Sequence, residues 1–345
     1  MPPLNRPAQE FLRAYAPQFA DTDRAAKLVG AEVERVVRDT GAFVHAVTAR
    51  AKAVDSLRGK LRRRRYKRPA QRITDIIGVR VITYYRDAVD PIVTRLRREF
   101  EINERDTTDK RRELGLREFG YRSVHVIARL RPAHVLSLNN KSIRKRWFEI
   151  QVRSIVEHAW AEIEHEIVYK SGIIFPDAMR RRFASLAGTL ELLDNEFVAL
   201  RDTRSALIEK YRVRYEQSKD QRTSFDVARL WGFLEVSRPQ GRNWREAVSE
   251  GVPFYPGLDV SCVEALKAVG LGTAASLGTL IGSRRFQDAV QSFAADQGIA
   301  PAQVSHVAVA VVAVAIKDLR MVQRHFPEFM NDPALASIVQ KRTRP

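Results

Sequence analysis

Hydrophobic positions follow different periods in different parts of the chain. Residues 8–68 are basic, contain few glycines or prolines, and are predicted to be mostly helical. Residues 73–153 instead alternate between apolar and polar positions, which predicts β-strands. The predicted strands are Ile76–Tyr85, Phe100–Glu104, Val124–Leu130 and Arg146–Arg153, and a predicted helix from Pro91 to Arg98 separates the first two. A helix between two strands is typical of a βαβ unit.

Helical periodicity returns after residue 177. Apolar residues recur at three- and four-residue spacing between residues 178 and 216, which predicts one long amphipathic helix or a helix pair. These residues are Phe183, Leu186, Leu190, Leu193, Phe197, Leu200, Leu207 and Tyr211. Core packing is the simplest explanation for this stripe, and its length also suits a subunit interface.

The periodicity divides the chain into three predicted regions. Residues 1–40 form an N-terminal helical region, residues 41–216 an α/β (α+β) domain whose sheet is flanked by helices, and residues 225–345 a helical domain. The polar residues 217–223 mark the predicted boundary between the last two. The longest apolar run, Val307–Ile316, is too short to span a bilayer and is predicted to be a buried helix.

Charge is concentrated where a predicted strand continues directly into a helix, at residues 147–170. Alternation sends Phe148, Ile150 and Val152 to one face of the strand and a row of polar residues to the other. That polar row contains Glu149, Gln151 and Arg153. Each of these groups would cost several kcal/mol, roughly, to bury without a partner. A site that binds a metal, a phosphate or a base would use all three.

The amino-acid composition indicates which kinds of partner the protein binds. Fifty-nine Lys and Arg against forty-one Asp and Glu give a formal net charge of +18. This excess indicates a polyanionic partner such as nucleotides or nucleic acid, although a basic surface can also serve solubility alone. The single cysteine, Cys262, excludes an internal disulfide and fits a reducing cytoplasm. The N-terminus lacks the apolar core of a signal peptide, so neither secretion nor a membrane partner is expected.

Three further segments carry groups that suit phosphate chemistry. The first, expected on an early helix, could grip a triphosphate or simply form a solvated basic face; it contains Arg50, Lys52, Ser56 and Lys60. The second is Asp75-Ile-Ile-Gly-Val-Arg80, where Asp75 suits a magnesium ligand beside a phosphate or, alternatively, a helix cap paired with Arg80. The third is Gly120-Tyr-Arg-Ser-Val-His125, which offers a tight turn and an aromatic stacking plane.

The order of these motifs resembles the RelA/SpoT-type alarmone synthetase domain, over roughly residues 40–215. The resemblance rests on Asp-x-x-Gly-x-Arg, Gly-Tyr-Arg-Ser-x-His, and Glu-Ile-Gln-x-Arg-Ser followed by Trp-Ala-x-x-Glu-His-x-x-x-Tyr-Lys. It implies a nucleotidyltransferase-like mixed β-sheet flanked by helices. It also implies an ATP-dependent, Mg²⁺-requiring pyrophosphokinase that makes (p)ppGpp from GDP or GTP. No His-Asp pair typical of the family's hydrolase domain occurs, so the resemblance is to a member with only the synthetase function.

The resemblance also implies a role for each matching residue. Asp75 corresponds to the magnesium ligand, and Glu149 to the carboxylate that supports magnesium and helps activate the 3′-hydroxyl. The ATP-binding positions are Arg50, Lys52, Ser56, Lys60 and Arg80, with Arg50 and Arg80 enclosing adenine. The acceptor-nucleotide positions are Arg117, Tyr121, His125, Gln151, Arg153 and His158, with Tyr121 as the stacking plane.

Two departures from the family pattern leave the acceptor open. His158 stands where small members carry Asn or Asp near the guanine, and Arg-Glu-Phe precedes Gly120. The basic run Arg58–Arg68 could extend the phosphate-binding surface or hold RNA, since several toxic relatives modify the 3′ end of tRNA. The alternatives are therefore a tRNA-modifying or (p)ppApp-making enzyme, and a non-enzymatic nucleotide- or RNA-binding regulator. A homo-oligomer is also expected.

Overall fold

The computed structural model describes residues 3–64, 66–113, 123–132, 143, 146–169, 176–237, 258–296, 304 and 306–327. These residues fall into two compact units, Met1–Ala199 and Leu200–Pro345. The three regions predicted from the sequence, residues 1–40, 41–216 and 225–345, are functional domains, and their limits stay predictions.

The first unit is a mixed sheet with helices around it. Its strands are β1 (Val44–Ala51), β2 (Ile77–Thr83), β3 (Glu101–Ile102), β4 (Thr108–Asp109), β5 (Val124–Arg129) and β6 (Phe148–Ser154). Its helices are α1 (Arg6–Tyr15), α2 (Phe19–Arg38), α3 (Val54–Arg63), α4 (Pro69–Arg72), α5 (Val89–Glu99), α6 (Lys110–Glu113) and α7 (Ile155–Glu164). Short 3₁₀ turns occur at Ala16–Gln18 and Arg86–Ala88, and a π-helical turn at His165–Tyr169 follows α7. This architecture confirms the predicted fold class of a mixed β-sheet flanked by helices.

The strand order is β1-β2-β6-β5-β3, with β4 also paired to β5. Only β2 and β6 run parallel, and the other pairs are antiparallel. The predicted βαβ unit is present as β2-α5-β3, whose two strands run in the same direction. They are not neighbours, however, because β6 and β5 lie between them.

The prediction was wrong at strand β1, which was not expected. Residues 44–51 lie in the basic region expected to be helical, yet they pair with β2 along their whole length. On one face Val47 and Ala49 pack against the core, while Thr48 and Arg50 are exposed on the other. Long-range pairing with a buried strand outweighs the weak local preference of such a short segment.

One face of the sheet is apolar and packs against α2 and α5. On β6 the alternation is the predicted one, since Phe148, Ile150 and Val152 are fully buried. Helix α2 presents its own apolar residues at helical spacing, and the buried ones are Ala25, Ala26, Val29, Val33, Val36 and Val37. Because this face is sealed by helices, the functional groups can lie only on the opposite, polar face.

Helix α8 (Asp177–Glu216) is one continuous helix of 40 residues rather than a pair. It begins in the first unit and ends in the second. Phe183 contacts Trp160 of α7, and Ala187 and Asp194 are buried. Much of the predicted apolar stripe is exposed, so core packing does not explain it; Leu186, Leu193, Phe197, Leu200 and Leu207 are each at least 43% exposed.

The described part of the second unit is helical. Besides the end of α8 it contains α9 (Val227–Ser237), α10 (Leu258–Ala268), α11 (Ala274–Ile281), α12 (Arg284–Asp296), α13 (His306–Lys317) and α14 (Leu319–His325). The apolar run at Val307–Ile316 forms α13, and its residues 310–316 are all buried, as predicted. Among the described residues, no helix combines the length and apolar character that a membrane crossing requires.

Candidate active site

The polar face of the sheet gathers residues from four strands into two adjacent rows. In one row, Cα pairing runs from Thr48 through Arg80 and Gln151 to His125. In the next row it runs from Arg50 through Gly78 to Glu149. Side chains that are paired across neighbouring strands project to the same face. The sheet therefore brings together predicted residues that are up to about a hundred positions apart in the chain.

Asp75 lies in the turn that leads into β2 and is held by two lysines. Lys52 Nζ and Lys60 Nζ each lie 2.8 Å from Asp75 Oδ2. Burial raises the pKa of the Asp75 carboxyl, but the charges and hydrogen bonds of the two lysines more than offset it, so the pKa lies below its usual value. Asp75 is therefore a carboxylate at neutral pH, and it pairs with these lysines rather than with Arg80.

The predicted ATP-binding residues do not share one helix. Arg50 lies on β1, Lys52 in the connection after it, and Ser56 and Lys60 on α3. The expectation of a single basic helix is therefore wrong for Arg50 and Lys52, because β1 continues to Ala51. The four positions nevertheless follow one another along the chain from the end of β1 into α3. Ser56 is exposed on the first turn of α3.

Glu149 is held by two neighbours on the sheet. His125 Nδ1 lies 2.6 Å from Glu149 Oε1, and Gln151 Nε2 donates to Oε2 at 3.2 Å. Burial raises the pKa of Glu149, whereas the hydrogen bond and charge of His125 lower it, and the result is a pKa below the usual value. The charge of Asp75 acts in the opposite direction on the same pKa.

Glu162 on α7 was missed as a candidate, although it organises three predicted residues. Its Oε1 lies 3.0 Å from Arg80 Nη1, 3.4 Å from Arg153 Nη2 and 3.9 Å from His158 Nδ1. The only signal in the sequence was its position four residues after His158 on one helical face. Arg80, expected to enclose adenine, is therefore held by a carboxylate at the edge of the site.

Arg153 and His158 are the remaining described acceptor candidates, and they differ in burial. Arg153 is 2% exposed. Burial and then the charge of Arg153 lower the pKa of His158, while Glu162 opposes them. His158 is therefore neutral at pH 7. Arg117 and Tyr121, the other predicted acceptor residues, lie outside the described residues.

Asp75 and Glu149 suit a divalent cation that completes its coordination with phosphate oxygens. No group of three or more His, Cys, Asp or Glu side chains gathers as a metal site within the described part of the chain. Magnesium does not need one, since it commonly takes one or two carboxylates and fills the rest with water and substrate phosphates. Asp75 Oδ1 is buried and has no hydrogen-bond partner among the described residues. A ligand would therefore reach Asp75 at Oδ2, the oxygen that Lys52 and Lys60 contact.

Comparison with known proteins finds one family in this part of the chain. The family model described as "Region found in RelA / SpoT proteins" matches residues 49–173. GTP pyrophosphokinase YjbM of Bacillus subtilis (strain 168) is 27% identical over 179 residues, which are 51% of this chain and 80% of YjbM.

Two crystal structures of the small alarmone synthetase 1 from Bacillus subtilis are also similar. The one bound to its product pppGpp is 24% identical with a TM-score of 0.45, covering 56% of this chain and 98% of that chain. The one bound to AMPCPP is 22% identical with a TM-score of 0.41, covering 56% of this chain and 97% of that chain. The family match lies within the first compact unit and does not reach the second.

Proposed function

Residues 49–173 form a domain of the RelA/SpoT type, and from this premise we propose that the protein transfers pyrophosphate from ATP to the 3′-hydroxyl of GDP or GTP. The products are AMP and a (p)ppGpp-type alarmone. The observation that carries the proposal is the pair of carboxylates, Asp75 in the turn before β2 and Glu149 on β6, with Lys52, Lys60 and His125 as their partners. Pyrophosphoryl transfer needs this combination of positioned cations and acids rather than a covalent nucleophile.

In the proposed reaction, the acceptor 3′-oxygen forms a bond to the β-phosphorus of ATP. The bond from that phosphorus to the oxygen bridging to the α-phosphorus breaks, and AMP leaves. Glu149, ionised and fixed by His125 and Gln151, accepts the proton of the 3′-hydroxyl. Lys52 and Lys60 bind the triphosphate, and Arg50 and Arg80 flank the adenine.

Asp75 and Glu149 would hold Mg²⁺, which neutralises charge on the transferring phosphates when bound. Acceptor residues would be His125, Gln151, Arg153 and His158, together with Arg117 and Tyr121. A guanine acceptor is supported by the name of the relative YjbM, a GTP pyrophosphokinase. Because His158 departs from the Asn or Asp of small members, the acceptor base is the part of the proposal that most needs a direct test.

The test is incubation of the purified protein and Mg²⁺ with γ-labelled ATP and GDP, GTP, GMP, ADP or AMP, followed by separation of the products. Label should appear in a GDP or GTP product, with release of AMP. Transfer to ADP or AMP instead would make the enzyme a (p)ppApp synthetase. Nucleotide binding without any transfer would leave a non-enzymatic regulator.

Two isosteric variants test the assigned acids. Glu149→Gln and Asp75→Asn should each lower the rate by about a hundredfold or more, since each removes a group that acts on the transferring phosphate or the proton. Glu10→Gln, on an exposed position of α1, serves as the matched control and should retain full activity. Activity in either site variant equal to that of the control would remove that residue from the mechanism.

A second candidate acceptor is the 3′ end of tRNA, and the basic run favours it. Arg62, Arg63, Arg64, Lys67 and Arg68 are exposed and form no ion pair within the described part of the chain. This segment directly follows Lys60, so RNA bound there would approach the candidate ATP site. Uncharged tRNA added to the same assay distinguishes the acceptors, and label on tRNA but not on GDP or GTP would overturn the guanine-nucleotide proposal.

We also propose a homo-oligomer that covers apolar side chains of α7, its π-helical turn and α8. Ile163, Ile167, Leu186, Leu193 and Phe197 are 41–55% exposed, which is unusual for so many large apolar residues on three consecutive elements. Light scattering tests the assembly, and Leu193→Lys should reduce the mass to that of a monomer. A monomeric wild-type protein would contradict it. The lone cysteine, Cys262, fits a place in the reducing cytoplasm.

A further inference from the structure

Asp75 offers a single accessible oxygen, and that oxygen is already occupied. Its Oδ1 is closed off from solvent and accepts no hydrogen bond from the described residues. Both Lys52 Nζ and Lys60 Nζ contact the other oxygen, Oδ2, at 2.8 Å. A hydrated cation can therefore reach this carboxylate only at the atom that two ammonium groups hold.

Buried neighbours hold the main chain at both lysines. The Lys52 amide donates to Ile76 O at 2.8 Å, and the hydroxyl of Tyr15 donates to Lys52 O at 2.6 Å. Burial raises the pKa of Tyr15 to about 12, so this donor keeps its proton. Lys60 lies on α3 between the fully buried Leu57 and Leu61. The main chain that carries both lysines is thus held in place, and from it both side chains reach the same oxygen of Asp75.

We propose that Lys52, Lys60 and Asp75 act as a lock that admits a divalent cation and a triphosphate only together. The inference rests on the proposed function, in which the same lysines bind ATP and the same carboxylate binds the metal. It goes beyond that function by assigning a linkage between the two ligands.

The linkage follows from the exchange of partners. A cation that arrives alone meets two positive charges at the only accessible oxygen. A triphosphate that arrives alone must draw the lysines away and leave a largely buried carboxylate without a counter-charge, which is costly. When both arrive, the lysines turn to the phosphates and Asp75 to the cation, so every charge keeps a partner.

The lock makes an unusual prediction for Asp75→Asn. This variant removes a proposed metal ligand, yet it releases both lysines, so metal-free ATP should bind about tenfold more tightly than to the wild type. The increase in ATP affinity that Mg²⁺ produces in the wild type should be absent from this variant. Titration calorimetry with ATP, in EDTA and then in Mg²⁺, measures both effects without relying on catalysis.

Glu149→Gln is the matched control, because it removes a second negative charge from the same site without releasing a lysine. Its affinity for metal-free ATP should change by less than about threefold if lysine release, rather than net charge, is responsible. The lock would be refuted if affinity for metal-free ATP rose equally in the two variants, or if it did not rise in Asp75→Asn.

A second experiment uses Mn²⁺ alone as the probe and needs no nucleotide. Electron paramagnetic resonance should detect little binding to the wild type and tighter binding, by about tenfold, to Lys60→Met. This variant keeps Lys52 as a partner for Asp75, and circular dichroism verifies its fold. If neither the wild type nor the variants bind ATP, the proposed function fails. The comparison of Mn²⁺ binding still tests the lock, because it needs no nucleotide. Equal Mn²⁺ binding by the two proteins would overturn it.

Discussion

Glu162 and its cationic neighbours show how single side chains set the chemistry at the edge of the site. One exposed carboxylate faces Arg80, the buried Arg153 and His158. Burial, and after it the charges of Arg153 and Arg80, lower the pKa of His158, although Glu162 opposes them. A neutral imidazole can accept as well as donate a hydrogen bond, which the imidazolium cannot. His158 is thus able to contact a base in more than one way.

The lowered pKa of His158 leads to a prediction about stability. In the unfolded chain His158 binds a proton as the pH falls through about 6.5, whereas in the folded chain it does so only at lower pH. The unfolded state then binds more protons, so this residue makes the protein less stable at pH 5.5 than at pH 8. His158→Asn should reduce that loss. Urea denaturation at several pH values measures it, with pH 8, where both forms are neutral, as the baseline. A variant whose stability falls as steeply as that of the wild type would contradict the assignment.

At the residue scale, the sequence predicted candidate chemical groups but not their partners. Asp75, Glu149 and the basic residues were predicted because charged types recur in motifs of known order. That Lys52 and Lys60 share one oxygen of Asp75, or that Arg80 pairs with Glu162, could not be predicted. These contacts join residues 15 to 82 positions apart, and their distances depend on how the elements pack.

At the scale of elements, close packing of α2 against β1 determines where Arg50 lies. A Cβ added at Gly30 of α2 would stand 2.5 Å from the Cβ of Ala49, the residue before Arg50. Only a glycine allows the helix and the strand to approach so closely. The same contact explains why β1 can form from a segment with little local preference for a strand.

Gly30→Ala should therefore destabilise the protein, by about 1–3 kcal/mol from overpacking, despite the better helix propensity of alanine. Gly59→Ala is the matched control. A Cβ there meets only the flexible end of Arg63 at 3.4 Å, so the helix propensity of alanine should stabilise α3 by about 0.5–1 kcal/mol. Chemical denaturation of the two variants measures both effects. If both variants were more stable than the wild type, the contact with Ala49 would adjust to the added methyl group without loss of stability.

Elements with strong periodicity were predicted well, and those that depend on pairing were not. The alternation on β2, β5 and β6 and the apolar run of α13 gave correct predictions because their burial follows a regular pattern. Strand β1 was mistaken for a helix, and β4, only two residues long, was missed within a charged loop. Both are strands because a neighbour supplies hydrogen bonds, which a local pattern does not record.

For the molecule as a whole, two compact units with separate apolar cores suggest separate unfolding. One core surrounds the sheet of Met1–Ala199, and the other is formed by helices of Leu200–Pro345. The family match and all the described candidate site residues lie in the first unit. Ligand binding is therefore expected to stabilise one unit selectively.

Calorimetry should resolve two transitions, and Mg²⁺ with ATP should raise the temperature of only one. At a ligand concentration of 100 times Kd, binding stabilises the folded state by about 2.7 kcal/mol. Tryptophan fluorescence can assign the transitions, since Trp160 belongs to the first unit and Trp231 to the second. A single transition that shifts as a whole would show that the units unfold together.

The sequence by itself predicted the class of fold, which the structure confirms, the resemblance to the family whose model matches residues 49–173, and the candidate groups of the site. It could do so because alternation, helical spacing and motif order are local properties of the chain. Tertiary structure alone decided that β1 joins the sheet, that Asp75 is held by two lysines and that much of the apolar stripe on α8 stays exposed. The physical reason is that strand pairing, burial and ion pairing depend on distances between residues far apart in the chain, which no local pattern specifies.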